Sequence, residues 1–359
     1  KRHLDNFRSP DKDGLNVFEA PKDTVSTFDG IKVRIGGSST LQYQSLNHEN
    51  SGAVELMELG DNFNLATANL DLDVALAPGV RMHLRTYLSS RHHPEPYVKG
   101  GYLQVDSFAF ISEGLLGDLM QYVTIKFGHM QNNYGDAHFR RSDNAQAMHN
   151  PFVGNYIMDS FTTAVGGEIY YRRNGFIAMV GATNGKLNQA VTAPGATSPS
   201  LLWKLGYDKQ LNEDLRVRVT GSMYNTAQSA RSFLYAGDRA GSRYYFVMEM
   251  PDATSAGNFT SGRFNPALNN RLNAVMFNPF VKYKGLEFFG MYERAEGRNN
   301  NEVENRVFNQ YGAELLYRFG QTENFYVGGR YNQVSGEQVG TGNDIDITRF
   351  QLGGGWFMT

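Results

Sequence analysis

The amino-acid sequence predicts an all-β fold, a transmembrane antiparallel β-barrel, from three observations. Apolar and polar residues alternate with period two along most of the chain. The alternating segments are about ten residues long, and the connections between them are alternately short and long. Alternation gives each strand one apolar and one polar face. About ten residues, tilted by ~40°, cross the apolar layer of an outer membrane.

Composition excludes several other classes of protein. The 359 residues include 39 Gly, 24 Phe and 20 Tyr, and charged residues make up only 19%. Cysteine is absent, which excludes a disulfide scaffold and thiolate metal sites. The formal charge of −2 provides no overall basic surface, so we expect no nucleic-acid partner. No apolar run reaches the ~18 residues of a membrane-spanning helix, a limit that does not apply to barrel strands.

The alternation is clearest in the first strands. Ile31, Val33 and Ile35 alternate with Lys32 and Arg34. Similar patterns predict fourteen strands, over 31–44, 64–76, 80–89, 97–110, 121–129, 164–173, 175–184, 200–209, 214–225, 274–284, 286–295, 308–319, 324–333 and 346–357.

The connections predict the orientation of the barrel. The short ones include Ala77–Gly79, Ser112–Met120, Arg173–Gly175 and Lys284–Gly285, and those after 209 and 319 are also short. The long ones are 45–63, 90–96, 130–163, 185–199, 226–273, 296–307 and 334–345. Outer-membrane barrels have short periplasmic turns and long extracellular loops. We therefore expect a barrel over 29–359. The polar residues 1–28 are predicted to be a periplasmic N-terminal segment or one entering the barrel mouth, with a flexible tail as the alternative.

These features resemble a known family. Val123–Gly128 followed by Asn133–Asp136 is similar to the strand and constriction loop of bacterial outer-membrane porins, and Phe350–Phe357 is similar to a late barrel strand. The chain is most similar to porins of Bacteroidota and to the phosphate-selective porin O and P family. The resemblance implies localisation in the bacterial outer membrane, a homotrimer and about sixteen strands. We therefore expect sixteen strands in the intact protein, although fourteen are countable.

The polar faces of the strands are predicted to line a pore. The basic residues assigned to the inside are Lys32, Arg34, Arg81, Arg85, Lys126, Arg172, Lys204, Arg216, Arg218, Lys282, Arg318, Arg330 and Arg349. The acidic ones are Asp71, Asp73, Asp106, Glu168, Asp208, Glu287, Glu293 and Glu314. Rings of charge in a narrow aqueous pore select ions by sign, so this excess of basic residues predicts a mild anion preference.

The third long loop, 130–163, is predicted to fold inward and narrow the pore. Arginine and aspartate side chains facing one another there would set a transverse field. The candidate constriction residues are His138, Arg140, Arg141, Asp143, His149 and Asp159. The alternative is a solvated outer loop whose charges have no specific role.

The sequence contains little that would support an enzymatic function. Phosphate-binding glycine loops and the His-Glu-x-x-His zinc motif are absent from the sequence. Arg91–Glu95 is interpreted as a polar loop tip rather than a metal site, and nothing in the spacing joins Ser142 and His149 into a triad. We therefore expect no enzymatic activity, no cofactor and no metal.

Three functions are compatible with this pattern. The first is a passive diffusion channel for small hydrophilic solutes and anions, with outer-membrane lipid around it. The second is a plugged barrel that is structural or binds a partner through its long loops, above all 226–273. The third is a soluble multi-sheet β protein such as a glycan-binding lectin. Inward arginines argue against the lectin, because a dry core makes buried charge costly.

Overall fold

A computed structural model describes residues 8–9, 11–22, 28–89, 93–141, 147–186, 197–236, 246–258 and 260–358. The strands are β1 (Lys32–Gln44), β2 (Asn62–Ala77), β3 (Val80–Ser89), β4 (His93–Val105), β5 (Val123–Gln131), β6 (Thr163–Arg173), β7 (Phe176–Thr183), β8 (Ser200–Gln210), β9 (Leu215–Thr226), β10 (Arg271–Tyr283), β11 (Leu286–Arg298), β12 (Arg306–Phe319), β13 (Phe325–Glu337) and β14 (Asp344–Trp356). The helix α1 spans Gly117–Met120, and 3₁₀ turns span Lys12–Gly14, Ala137–Arg140 and Ala147–His149.

The fourteen strands form one antiparallel sheet in which each strand pairs with its neighbours in sequence. The predicted all-β fold and its strand order are therefore confirmed. Over the part of the chain that is described, no pairing joins β14 to β1. Sixteen strands for the intact protein stays a prediction.

The connections separate into two ends of the sheet, as predicted. The short-turn end carries 78–79, 106–122, 174–175, 211–214, 284–285 and 320–324. The long-loop end carries 45–61, 90–92, 132–162, 184–199, 227–270, 299–305 and 338–343.

One predicted strand, 97–110, is displaced. β4 begins at His93 and ends at Val105, so the connection before it is shorter and the one after it longer than expected. Pro94 and Pro96 have no N–H to donate, but β4 pairs with β5 only over Gly101–Val105 and therefore tolerates both prolines. The chain then leaves the sheet at Asp106, whose backbone N–H donates to the Gly79 carbonyl at 2.7 Å.

The outward face of the sheet is apolar. The side chains of Ile35, Leu205 and Leu352 are 71%, 58% and 78% exposed, respectively. Exposed apolar side chains of this kind are typical of the lipid-facing surface of an outer-membrane barrel. At the short-turn end, aromatic rings stack across three strands with centroids 5.6 to 6.1 Å apart; these rings are Tyr317, Phe319, Phe325 and Trp356. Aromatic rings of this kind form the interfacial girdle of outer-membrane barrels.

Helices do not provide a membrane span: within the described ranges, none is long and apolar enough to cross a bilayer.

The inward face encloses a lumen that is filled unevenly. On the β8–β13 side, wall residues such as Phe280 and Phe289 form a buried core with loop residues such as Tyr134 and Met158. Buried charged side chains of the strands, such as Arg218, Glu314 and Arg330, lie on this inward face, whereas apolar side chains such as Leu205 are exposed on the other. That the charged residues assigned to the interior line a pore stays a prediction.

Candidate functional site in the lumen

The loop between β5 and β6, residues 132–162, folds into the lumen and is bound to the β8–β13 wall at several points. The first is Asp136, which is fully buried. Its carboxylate accepts hydrogen bonds from Lys204 (2.9 Å), Arg218 (2.8 and 2.9 Å) and the Thr220 hydroxyl (2.7 Å). Its backbone N–H donates to the Asn278 amide oxygen at 2.9 Å. One loop residue thus joins three wall strands.

Local backbone geometry positions Asp136. Gly135 has φ +66°, and a Cβ there would lie 2.2 Å from the Met276 sulfur, so only glycine fits. On the wall, the pairing of β10 with β11 is interrupted at Asn278 and Pro279, and Gly290 on β11 leaves room for the proline ring. The Asn278 amide donates to the Gly290 carbonyl at 3.1 Å, which satisfies an oxygen that Pro279 cannot pair with.

The second binding point is Glu314 on β12, which has no solvent exposure. It accepts hydrogen bonds from Arg140 (2.9 and 3.0 Å) and Tyr156 (2.8 Å) of the loop, and from Arg330 of β13 (2.7 and 2.8 Å). Arg330 in turn donates to the Asn150 side chain at 2.9 Å. Glu314 therefore pairs with two guanidinium groups that the fold buries, and its one negative charge is shared between them.

Further contacts extend this attachment. The Ile157 and Met158 backbone N–H groups donate to Asn332 (2.6 Å) and Gln310 (2.9 Å) on the wall. Asp159 pairs with Arg141 within the loop at 2.6 Å. The inward folding predicted for the third loop is confirmed over its described residues, most of whose contacts are with the β8–β13 wall. Asn133 also donates to Glu168 of β6, and Gln351 of β14 donates to the Val153 carbonyl.

The N-terminal strap, defined here as residues 11–22, also lies inside the lumen, across its short-turn end. Phe18 packs against Phe139 and Phe280, with ring centroids 5.7 and 5.4 Å away. Asn16 donates to Glu287 at 2.7 Å. The Glu19 carboxylate pairs with Arg218 at 2.8 Å. The strap therefore lies in the barrel mouth. The assignment of residues 1–28 as a periplasmic N-terminal segment stays a prediction.

An open space remains beside the loop and the strap, on the β1–β6 side. This passage is a cavity of about 250 Å³. Its described lining contains six basic side chains, namely Arg8, Arg34, Arg85, Lys99, Lys126 and Arg172. It contains three acidic side chains, namely Glu19, Asp71 and Asp73. The described lining of this space thus has three more basic than acidic side chains.

Several of these charges are paired. Arg34 donates to Asp73 at 3.0 Å, and Arg85 donates to Asp71 at 3.1 Å. Lys126 lies 3.9 Å from Glu168, and its ammonium group is 4.6 Å from the centroid of the Tyr102 ring. Pairing reduces the field of the arginines more than that of Lys126, whose nearest carboxylate is at the outer limit of an ion pair.

The predicted constriction residues lie in different surroundings. Arg140, Arg141 and Asp159 are buried in ion pairs, so they hold the loop in place instead of projecting across the passage. His138 and His149 are buried and border the passage. Asp143 lies outside the described residues. The role of the six residues as a constriction stays a prediction.

The predicted basic lining is divided by the loop. Four of the thirteen predicted basic residues line the passage: Arg34, Arg85, Lys126 and Arg172. The other nine make contacts elsewhere: Lys32 with Asp29, Arg81 with Asp106, Lys204 with Asp136, Arg216 with Asp208, Arg218 with Asp136 and Glu19, Lys282 with Glu323, Arg318 with Glu287, Arg330 with Glu314, and Arg349 with the Gly262 carbonyl.

Three residues important to the lumen were not assigned there from the sequence. Asn16 and Glu19 lie in a segment without alternation, so nothing local indicated that they would be inside the barrel. Lys99 also borders the passage, 4.9 Å from the Tyr87 ring centroid. Strict alternation along β4 would place Lys99 on the outer face. A β-bulge, where Gly100 pairs with Arg85 and Val98 with Thr86, turns Lys99 inward, and the alternation pattern does not predict it.

Buried charges shift the pKa values of loop residues. Burial alone would raise the pKa of Asp136, but Arg218 and Lys204 outweigh burial and lower the pKa to about 2. Burial lowers the pKa of His149 to about 2, and the nearby Arg8 guanidinium adds to this. Burial likewise holds the pKa of His138 well below its ordinary value. Near neutral pH, Asp136 is therefore charged and both histidines are neutral.

Asp136→Asn should reveal this shift in acid. Because the pKa of folded Asp136 is depressed below its unfolded value of ~3.9, its stabilisation is complete above that pH and is lost as pH falls through about 2. We expect wild type to exceed the variant by on the order of 2 kcal/mol down to about pH 4, and the difference to vanish near pH 2. Urea unfolding followed by tryptophan fluorescence measures it. A difference already absent at about pH 5 would contradict the assignment.

Metal chemistry has no support in the described residues, where no three His, Asp or Glu side chains come together as ligands. Arg91 and His92 of the polar loop tip, and Ser142, lie outside those residues.

Comparison with solved structures agrees with this architecture. OmpT, an outer membrane protein of Vibrio cholerae, has a TM-score of 0.51 at 13% identity, with 94% of this chain and 85% of that chain covered. Salmonella typhi OmpF, in complex with daunomycin, has a TM-score of 0.50 at 13% identity, with 92% and 86% covered. No family model and no curated protein matches the chain. The chain therefore has the porin-type β-barrel fold of bacterial outer-membrane proteins.

Proposed function

We propose that the protein is a bacterial outer-membrane porin, a water-filled channel for passive diffusion of small hydrophilic solutes with a mild preference for anions. The observation that supports the proposal is the passage between the loop and the β1–β6 wall, with six basic and three acidic residues in its described lining. A polar interior within an apolar outer surface suits a channel in lipid. The excess of basic residues lowers the energy of an anion in the passage and raises that of a cation.

The channel requires neither catalysis nor a cofactor. Selection would be steric, by the inward-folded loop, and electrostatic, by the basic side chains of the passage. We also propose a homotrimer, since a trimer form is described for the Vibrio cholerae OmpT, which has a TM-score of 0.51 at 13% identity to this chain, with 92% of this chain and 85% of that chain covered.

Planar-bilayer recording tests the proposal. Purified protein should give discrete conductance steps, and its reversal potential in a KCl gradient should have the sign of chloride permeation. Steps with the cation sign would retain the channel and refute the anion preference. Absence of steps from folded protein would refute the open pore.

A plugged barrel is the second candidate, because one half of the lumen is filled. The loop 132–162, the strap and part of 227–270 occupy the β8–β13 side, and Tyr235 of the long connection reaches Glu293 inside the barrel at 2.8 Å. If no conductance is found, the long loops would be the functional surface.

A further inference from the structure

The N-terminal strap crosses the lumen without joining the sheet. At one end the Lys12 ammonium donates to the Thr322 carbonyl at 3.2 Å, in the turn between β12 and β13. At the other end the Lys22 ammonium donates to the Val123 carbonyl at 2.6 Å, at the start of β5. The strap contributes no strand to the described sheet. It therefore spans the short-turn mouth, from one wall to another.

Glu19 is the most strongly paired residue of the strap. Its carboxylate accepts from both terminal nitrogens of Arg218, at 2.8 and 2.9 Å, and lies 3.4 Å from the Lys204 ammonium. Its side chain is only 6% exposed. Two parallel N–H···O bonds to a carboxylate are the geometry by which arginine recognises carboxylate ligands in general.

The charge balance of this cluster depends on the strap. Three basic residues of the wall face three carboxylates, and only one of those carboxylates belongs to the strap. The basic residues are Lys204, Arg216 and Arg218, and the carboxylates are Glu19, Asp136 and Asp208. Without Glu19 the cluster would carry one uncompensated positive charge inside the lumen.

We propose that the N-terminal strap is a displaceable internal plug, and that Glu19 occupies an anion-binding site, formed by Arg218 and Lys204, that takes carboxylate-bearing solutes when the strap withdraws. The proposal rests on the channel function proposed above. It adds a site with a defined ligand class and a closed state of the pore.

The way the strap is held makes withdrawal feasible. Wall arginines bind its backbone: Arg172 donates to the Ala20 carbonyl at 2.7 Å, Arg81 to Pro21 at 3.0 Å and Arg216 to Asn16 at 2.9 Å. No ladder of backbone hydrogen bonds has to break. Water or an anionic solute can take the place of each carbonyl, since the arginines reach into the lumen from fixed strands.

The test compares the wild type with three variants: a deletion of residues 11–22, Glu19→Gln, and the matched control Asp13→Asn. Asp13 is an exposed carboxylate of the same strap, whose side chain makes none of the wall contacts described above. We expect the deletion to raise single-channel conductance severalfold, Glu19→Gln to increase the frequency of such openings, and Asp13→Asn to behave as wild type. Folding of each variant is checked by heat-modifiable mobility in SDS gels.

The anion site is probed with succinate, and uncharged succinamide serves as its control. Succinate should reduce chloride current severalfold more in the deletion variant than in wild type, and Lys204→Gln in the deletion background should abolish this difference. Unchanged conductance in the folded deletion variant would overturn the plug. Increased conductance without the succinate effect would overturn the anion site. Absence of current from every form would instead refute the channel, and the plug with it.

A reversible cross-link provides a second measurement that leaves the strap intact. The chain has no cysteine, so Lys12→Cys with Thr322→Cys can be joined specifically by a bis-methanethiosulfonate reagent, which forms a reducible disulfide with each thiol and releases methanesulfinate. We expect the cross-link to suppress the large openings and reduction to restore them, with each single-cysteine variant unaffected. Equal opening with and without the cross-link would overturn withdrawal of the strap.

Discussion

Glu314→Gln is expected to lower the free energy of unfolding by about 3–5 kcal/mol, because it leaves two buried guanidinium groups without their countercharge. Arg140 and Arg330 are 4% and 1% exposed, and both donate to this one carboxylate. The glutamine amide has the same size as the carboxylate and still accepts a hydrogen bond. The decrease in the free energy of unfolding therefore comes from the lost negative charge and not from a cavity. Urea unfolding of the barrel in detergent micelles measures it, with Trp203 and Trp356 as the fluorescent probes.

Glu304→Gln is the matched control, since Glu304 is exposed in the connection between β11 and β12. A change within about 0.5 kcal/mol is expected for it. Adding Arg140→Met to Glu314→Gln should recover part of the loss, because one of the two unpaired charges is then removed. If Glu314→Gln behaved like the control, the loop would be held by its other contacts, such as those of Gln310 and Asn332.

Undocking of the loop provides an independent readout of the same change. Arg140 and Arg141 are buried in the folded protein, which protects both from trypsin. Glu314→Gln should make the chain susceptible to cleavage there, while the strands stay resistant. Cleavage elsewhere first would show that the variant weakens the sheet and not the loop.

Much of the sheet could be predicted from the sequence, because lipid on one side and water on the other impose strict alternation on each strand. Ile35 and Leu352 face outward and Arg34 faces inward, as period two requires. The alternation does not predict the first residues of β4, because two prolines lie among them. The sheet tolerates these prolines because the strand pairs with β5 only over its later residues. Alternation also predicts which charged side chains face inward, but not which of them form ion pairs with one another.

The lumen could be predicted less well, because its contacts join residues that are distant in sequence. Glu19 meets Arg218 across 199 positions, and Arg140 meets Glu314 across 174. Neither partner carries a local pattern that identifies the other. The arginines of the third loop were expected to set a field across the pore, whereas Arg140 and Arg141 are used to fix the loop to the wall and to itself.

Lys126→Glu is expected to shift the reversal potential of the channel strongly toward the cation sign. Lys126 lines the passage with its nearest carboxylate, Glu168, 3.9 Å away, so its charge is among the least compensated there. Each unit charge ~8 Å from the ion path, at an effective dielectric constant of ~40, changes an ion's energy by about 1 kcal/mol. Lys126→Glu changes the charge by two units and acts with opposite sign on the two ions, which amounts to about 4 kcal/mol without salt. Screening over ~10 Å at about 0.1 M KCl reduces this to about 2 kcal/mol, so the chloride-to-potassium permeability ratio should fall by on the order of tenfold.

Salt and a matched variant make this result specific to the passage. The recording uses about 0.1 M KCl, since at about 1 M the screening length falls to ~3 Å and hides the effect. Lys284→Glu makes the same change in total charge at an exposed turn, where the side chain is 62% exposed, and should leave the reversal potential near that of wild type. Equal shifts in both variants would mean that net charge sets selectivity. A shift in neither would mean that ions do not pass Lys126, and the route along the β1–β6 wall would be wrong. A shift confined to Lys126→Glu would mean that permeating ions pass between the β1–β6 wall and the docked loop, because Lys126 lines that passage.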